Sequence, residues 1–418
     1  MALYDKRHLN AGVSMIDNVL RTDEAAPRPE NAAASQIAVL AGLAAIGTLA
    51  TNILLPSLPQ MAEALRVSSA TVTSSITVFL AVFALGQLVV GPISDSYGRR
   101  WPVLAGFAVF VAGSIWCASS STLASLLIGR MIQAAGACST SVLSRAIARD
   151  LFRGAALGRA MALIMIAMAA APGFSPLLGG ALDHFWGWRS EFVFVAILAA
   201  GAAIAYGSIL GETHYSVRTQ LHPFAIAKGY AGLLRDRHFV VPAATVSLIM
   251  GGLFSIFSAT PRILMEAMHF TPIELGLFFA GTVLIVFAAG MLARQLASQL
   301  GLDRSICLGL LATVAGGVAI LTTSIIWPSF LPFLCSVCVF LLGMGIVNPL
   351  GTAQTLSPFG KQAGAASALL GFWQMIGAAS GVLLTANISN DATYSLAVVL
   401  TASSVLAPGI YKSRAKAA

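Results

Sequence analysis

Twelve apolar stretches, each near the ~20 residues that cross a bilayer as a helix, constrain this chain more than any other feature. They fall at about 36–57, 71–93, 102–120, 122–147, 157–181, 188–210, 240–262, 273–295, 303–325, 328–352, 362–386 and 391–411. Hydrocarbon offers no partner to peptide N–H and C=O groups, so such segments satisfy their own backbone as α-helices. By length alone, 418 residues would hold two or three soluble domains. Composition excludes that, because charged residues make up 10% of the chain against about 25% in a soluble domain. The expected fold class is an all-α membrane protein.

An even number of spans puts both termini on one side. Cytoplasmic flanks carry the excess of Lys and Arg. With a cytoplasmic N-terminus, 20 of the 24 basic residues fall on that side; Arg66, Arg189 and Arg262 fall outside and Arg130 lies within the membrane. The net charge of +8 then follows topology and implies no nucleic-acid partner. The longest internal loop, 211–239, divides six spans from six and carries Arg218, Lys228, Arg235 and Arg237. Its stretch from Pro223 to Leu234 reads as an interfacial helix. The expected organisation is a mobile cytoplasmic tail (1–35), a six-helix lobe (36–210), a cytoplasmic linker (211–239), a second six-helix lobe (240–411) and a short cytoplasmic tail (412–418). Two lobes joined by a linker outline a transporter with its site between the halves near the midplane.

Five cysteines, Cys117, Cys138, Cys307, Cys335 and Cys338, all lie in apolar stretches with no histidine nearby. They read as small apolar fillers rather than as metal ligands or a disulfide framework. Arg130 is the exceptional residue. An arginine at the centre of a bilayer helix costs roughly 2.5–3.5 kcal/mol on insertion scales, and such residues usually mark a substrate or ion pathway. A structural tie to the carbonyls of neighbouring helices is the other reading, and the sequence leaves both open. Asn52, Gln87, Gln133, Asn348 and Gln374 are polar at plausible depth; buried amides also serve simply to join helices. All sixteen Asp and Glu fall in tails, loops or span ends, and the six histidines also avoid the interiors. The chain shows no catalytic constellation and no nucleotide-binding loop, so it is not expected to be an enzyme or an ATP-driven pump.

Between the second and third spans stands Gly91-Pro92-Ile93-Ser94-Asp95-Ser96-Tyr97-Gly98-Arg99-Arg100. Gly91 and Gly98 permit backbone bends, and Asp95 can accept from an arginine or a helix N-terminus. This spacing resembles the loop signature of the major facilitator superfamily. Two further elements resemble the family's drug-export members: Arg130-Met131-Ile132-Gln133-Ala134-Ala135-Gly136 in span four, and Ala171-Pro172-Gly173-Phe174-Ser175-Pro176-Leu177-Leu178-Gly179-Gly180 in span five. The latter is similar to the antiporter motif, with Ser175 where glycine is usual. Pro172, Pro176, Gly179 and Gly180 are expected to bend that helix. LLPSLPQM after span one and ATPR after span seven look most like the bicyclomycin and chloramphenicol resistance (Bcr/CflA) branch. The C-terminal counterpart of the charged loop, around Arg294 to Arg304, is degenerate.

The resemblance implies a major-facilitator fold of twelve helices in two lobes, and export of small drug-like compounds across the bacterial inner membrane by alternating access in exchange for protons. It implies no cofactor other than the proton as coupling ion, a small-molecule substrate, a lipid bilayer around the chain, and a monomer. Asp95, Arg99 and Arg100 would form a gating cluster, to which Arg149 and Asp150 at the end of span four are natural additions. Many exporters of this branch carry aspartate where Asn52 stands. If spans one and four are neighbours, Asn52 and Arg130 both lie roughly 8–12 Å below the outer surface at helical rise, and Asn52 is placed to offer its oxygen to Arg130. Coupling then rests either on carboxylates near the cytoplasmic rim, Asp95 or Asp150, or gives way to exchange or facilitated diffusion of a polar or anionic metabolite held by Arg130. A sensor that keeps the fold without transporting is a third possibility.

Overall fold

A computed structural model describes residues 30–213 and 223–415. The expected mobile tail lies outside the described residues apart from its last few positions, as do Arg218 in the linker and the chain's last three residues. Among the described residues there is no strand, and twelve helices are long and apolar enough to cross a membrane. In chain order they are α1 (Ala34–Leu65), α2 (Ser69–Tyr97), α3 (Arg100–Ala118), α4 (Leu123–Leu151), α5 (Gly154–Trp186), α6 (Arg189–Ile209), α7 (Arg237–Ala267), α8 (Pro272–Leu300), α9 (Leu302–Ile326), α10 (Phe330–Gly360), α11 (Ala363–Asn387) and α12 (Ala392–Ser413). All twelve expected spans are present. Short polar side chains start several of them by accepting from exposed N–H groups. Thr122 accepts from Ser125 N at 3.2 Å, and Thr271 forms a capping box with Glu274 just before Pro272.

Packing repeats with a period of six helices. Within the first lobe α1 packs on α4, α5 and α6, α2 on α4, and α3 on α4 and α6; within the second lobe each pair recurs six helices on. Between the lobes α2 meets α11 and α5 meets α8, a pair of seams that exchange under the same two-fold relation. The linker chain forms a separate helix, Pro223–Arg235, which packs on α7 and α11 and donates from Tyr230 Oη to Leu88 O at 3.0 Å. The expected helix is therefore present, and it docks onto protein through Tyr230 and Leu233 while Phe224 stays exposed.

Two backbone features shape the face opposite the linker, here called the far face. In α1, Pro56 lacks the N–H that would bond the Asn52 carbonyl. The helix breaks there and continues through a 3-10 turn at Leu55–Ser57. The equivalent end of α7, after Pro261, winds into a π-helical turn at Arg262–Ala267. The bend expected in α5 is not a break: the chain is helical from Gly154 to Trp186 through Pro172 and Pro176. Its small residues act by close approach instead. A Cβ on Gly179 would sit 1.9 Å from Ile53 O, so only glycine lets α5 touch the broken end of α1. Gly91 likewise makes no bend and lies inside α2, whereas Gly98 holds φ +89°.

Candidate functional site

The lobes enclose a cavity of about 630 Å³ at the linker face, within the range of small-molecule sites. Its walls are Gln87, Ser94 and Asp95 from α2, Val142, Arg145, Arg149 and Asp150 from α4, Tyr230 from the linker helix, and Ala365 and Ala368 from α11. The far half of the interface is closed. A methyl added to Gly276 would meet Leu177 Cα at 2.6 Å, one on Gly180 would meet Pro272 O at 2.9 Å, and the 3-10 turn of α1 touches both α7 and α8. The cavity therefore lies nearer the linker face than the midplane position expected from the sequence.

At the mouth of the cavity, Arg99 is the hub of the charged loop. Its Nη1 donates to Asp95 Oδ1 at 2.6 Å and also to Ser94, and its Nε donates to Asp150 Oδ2 at 2.9 Å. Burial alone would lower the basicity of this guanidinium; the paired Asp150 and Asp95 outweigh it and hold Arg99 above its ordinary value. Glu212, at the start of the linker, accepts from the backbone N–H groups of Arg99 at 2.9 Å and Arg100 at 3.3 Å. A carboxylate at a helix N-terminus is stabilised there by the exposed N–H groups. Of the residues expected in the cluster, Asp95, Arg99 and Asp150 come together, with Gly98 supplying the turn. Arg100 and Arg149 are exposed, and neither joins an ion pair among the described residues.

Arg130 is completely buried and does not line the cavity. It donates from Nη1 to Ala50 O at 3.1 Å and to Gln133 Oε1, and from Nε to Ser75 O at 3.4 Å, while its guanidinium covers the Phe79 ring at 4.2 Å. Gln133 Nε2 passes the network to Ser114 Oγ at 2.8 Å. The expected bond from Asn52 to Arg130 is absent: the Asn52 amide donates back to Thr48 O at 2.7 Å, one turn earlier on its own helix. Gln374 and Asn348 meet at 3.3 Å within the second lobe, away from the residues that line the cavity. Ser175 is buried and its Oγ has no partner.

Three groups escaped the sequence reading. Arg145 lines the cavity, has no carboxylate partner among the described residues and touches Met168 Sδ at 4.0 Å. In sequence it is one more basic residue at the cytoplasmic end of span four. Glu212 was one more acid on the cytoplasmic side. Glu191 and Asp183 were placed at span ends, which their positions satisfy, yet both are buried: Glu191 is 0% exposed and Asp183 3%. Ser57 in the α1 turn donates to Glu191 Oε1. Among the described residues no group of His, Cys, Asp or Glu could hold a metal ion.

Two six-helix lobes related by a repeat, a cavity between them and a charged loop at its mouth define a multi-pass membrane protein built as a transporter. The chain belongs to the Major Facilitator Superfamily, which it matches over residues 40–382. It is 30% identical to the uncharacterised MFS-type transporter YdgK of Bacillus subtilis over 81% of this chain and 85% of that one. It is 29% identical to multidrug resistance protein D of Escherichia coli over 86% and 90%, and 28% identical to a chloramphenicol resistance protein of Pseudomonas aeruginosa over 84% and 80%. The latter two agree with the drug-resistance branch that the sequence motifs resemble. The fold also matches the crystal structure of the human organic anion transporter MFSD10, with a TM-score of 0.69 at 17% identity over 92% of this chain and 100% of that one.

Proposed function

We propose that the chain exports small drug-like compounds across the bacterial inner membrane by alternating access, in exchange for protons and as a monomer without other cofactors. The observation that carries this reading is the cavity of about 630 Å³ at the linker face, set beneath a far face sealed by α5 against α8. A substrate enters such a cavity from one side only, so release on the other requires the seams to exchange. The kinship with drug-resistance proteins supports that substrate class, and the excess of basic residues at the linker face supports reading it as the cytoplasmic one. Mixed walls, with Val142, Leu143 and Ile226 beside Gln87 and Tyr230, suit an amphipathic molecule. The test is chloramphenicol accumulation in cells stripped of other exporters, with and without a protonophore. Lower accumulation that the protonophore abolishes supports the reading; accumulation unchanged by the chain for chloramphenicol and a panel of amphipathic antibiotics refutes it.

One observation favours an anionic or strongly polar cargo. Arg145 and Arg149, rather than Arg130, line the cavity without a carboxylate partner among the described residues, and Arg145 is the less exposed of the two. An unpaired guanidinium is a ready partner for a carboxylate or phosphate. Uptake of labelled organic anions into proteoliposomes preloaded with the unlabelled anion tests this reading; counterflow without any effect of a pH gradient would select it over proton antiport.

A further inference from the structure

We propose that Glu191 and Asp183, gathered beneath Ser57, form a proton-binding site that latches the far face shut. The proposal rests on the export reading above and adds to it the group that senses the proton.

The site is built from three elements. Ser57 ends the 3-10 turn that Pro56 forces on α1. Asp183 lies in the last turn of α5, and Glu191 in the first turn of α6. Ser57 donates its hydroxyl to Glu191 Oε1 and stands beside Asp183. The second oxygen of Glu191 and both oxygens of Asp183 are buried with no hydrogen-bond partner. An ionised carboxylate in that condition would forfeit hydration with nothing in return, and two adjacent carboxylates cannot both stay charged without a cation between them. A proton on the pair removes both difficulties. It turns one carboxylate into a hydroxyl donor and leaves the pair with a single negative charge.

Neighbouring charges do not perform that task. From α4, Arg130 lies within electrostatic reach of Glu191, but its hydrogen bonds go to Ala50, Ser75 and Gln133, and its Nη2 is buried without a partner. From α5, His184 lies near Asp183 on the exposed side. Arg189 of α6 donates to Ser120 O and lies over the Trp188 ring. From the opposite lobe, Arg262 of α7 donates to Asn390 O and Glu274 of α8 closes its own capping box, while Glu266 and His269 are exposed. Among the described residues, the fully buried cation near the pair, Arg130, thus has an unused N–H and no direct carboxylate contact.

The placement makes the proton consequential. Ser57 belongs to the turn that presses on α7 and α8 of the opposite lobe, and Gly179, one turn before Asp183, carries the other side of the same contact on Ile53. With the proton bound, the pair tolerates burial and the turn stays seated. When the proton leaves, the charged pair requires water, which only separation of α1 and α5 from α8 can admit. Acid on the far side therefore holds the far face closed, and alkali opens it.

The test uses full-length protein in intact cells, with the five native cysteines replaced by alanine. Leu177→Cys, at the contact with Gly276, reports opening through reaction with a membrane-impermeant maleimide. Trp327→Cys, exposed at the far end of α9, corrects for the thiol's own pH dependence. The ratio of the two rates is expected to rise by at least about tenfold between pH 6 and pH 8, as one titrating proton allows. Glu191→Gln, which keeps an acceptor for Ser57 but cannot lose a proton, should hold the ratio at its low value at both pH values. Asp183→Asn removes the second charge and should move the rise to lower pH. A ratio already flat without either change, Glu191→Gln retaining the full rise, or, should that variant fail to reach the membrane, Asp183→Asn leaving the curve unmoved, overturns the proposal. A chain that labels as expected yet gives no protection against chloramphenicol or the wider panel would defeat the export reading alone. Protonophore-sensitive export with a flat labelling ratio would defeat this inference alone.

Discussion

Gly98→Ala should be among the most damaging single-methyl additions on the linker face, for two separable reasons. Gly98 sits at φ +89°, ψ 176°, a region essentially reserved for glycine, where a side chain costs about 1–3 kcal/mol. The new Cβ would also stand 2.5 Å from Glu212 Oε2, so Glu212 must move. That displaces its carboxylate from the Arg99 and Arg100 N–H groups, and losing such a cap costs about 0.5–2 kcal/mol. Together the two effects come to roughly 2–4 kcal/mol, or a fall of about 5–15 °C in Tm for a lobe of this size. Thermal unfolding of detergent-purified protein reads the shift. In a Glu212→Ala background the clash is gone and only the backbone cost remains, so Gly98→Ala should be milder there by about 1 kcal/mol. A Gly98→Ala variant melting within about a degree of the parent would refute the reasoning outright. Equal shifts in both backgrounds would remove Glu212 from it.

Other expectations follow from the same geometry. Gly179→Ala meets the Ile53 carbonyl at 1.9 Å, whereas Gly371→Ala meets the end of the Gln87 side chain at the same distance; backbone cannot swing away, so the first should cost at least about 2 kcal/mol and the second under about 1 kcal/mol, compared by Tm. Arg130→Ala should melt lower than Arg130→Met by about 1–3 kcal/mol, because methionine refills the space against Phe79 while both lose the bonds to Ala50 and Ser75; the reverse order would contradict a tie between helices. Arg145→Gln should weaken binding of an anionic probe such as an organic carboxylate by about tenfold and of chloramphenicol by less than about twofold, if the guanidinium contributes a charge-assisted bond worth about 1.5 kcal/mol; equal losses in an equilibrium binding assay would place Arg145 in packing only.

Lipid is why so much of the fold could be read in advance. A span must be apolar for about 20 residues whatever it packs against, so all twelve helices announce themselves. Asp95, Gly98 and Arg99 were legible for a related reason: their cluster forms mostly within one turn, and local spacing survives in sequence. Glu191 was not legible. Its third-residue position in α6 matches a carboxylate at a membrane surface, and its burial depends on Pro56 breaking α1 and on Gly179 letting α5 close over the break. The unbroken course of α5 through Pro172 and Pro176 was not legible either. Proline removes a hydrogen bond, but neighbouring helices packed on both sides can hold a membrane helix through it, and propensity does not report such neighbours.

The two lobes share a packing plan and differ in charge, and that difference says where the chemistry resides. At the linker face the first lobe joins Arg99 to Asp95 and Asp150. The corresponding corner of the second lobe joins Asp303 to Gln354 at 2.6 Å and to Tyr411 at 2.7 Å, so the loop with the degenerate motif still carries a polar network. Deeper in, Arg130, Arg145 and the pair of Glu191 and Asp183 all belong to the first lobe, and the second lobe places neutral amides and hydroxyls at comparable depth. A lobe whose buried polar groups are neutral can shift against one with buried charges without carrying further ions through lipid. In the export reading, cargo and proton therefore act on the first lobe, and the second supplies the small-residue surfaces, Gly276 against Leu177 and Gly371 against Gln87, along which the seams exchange.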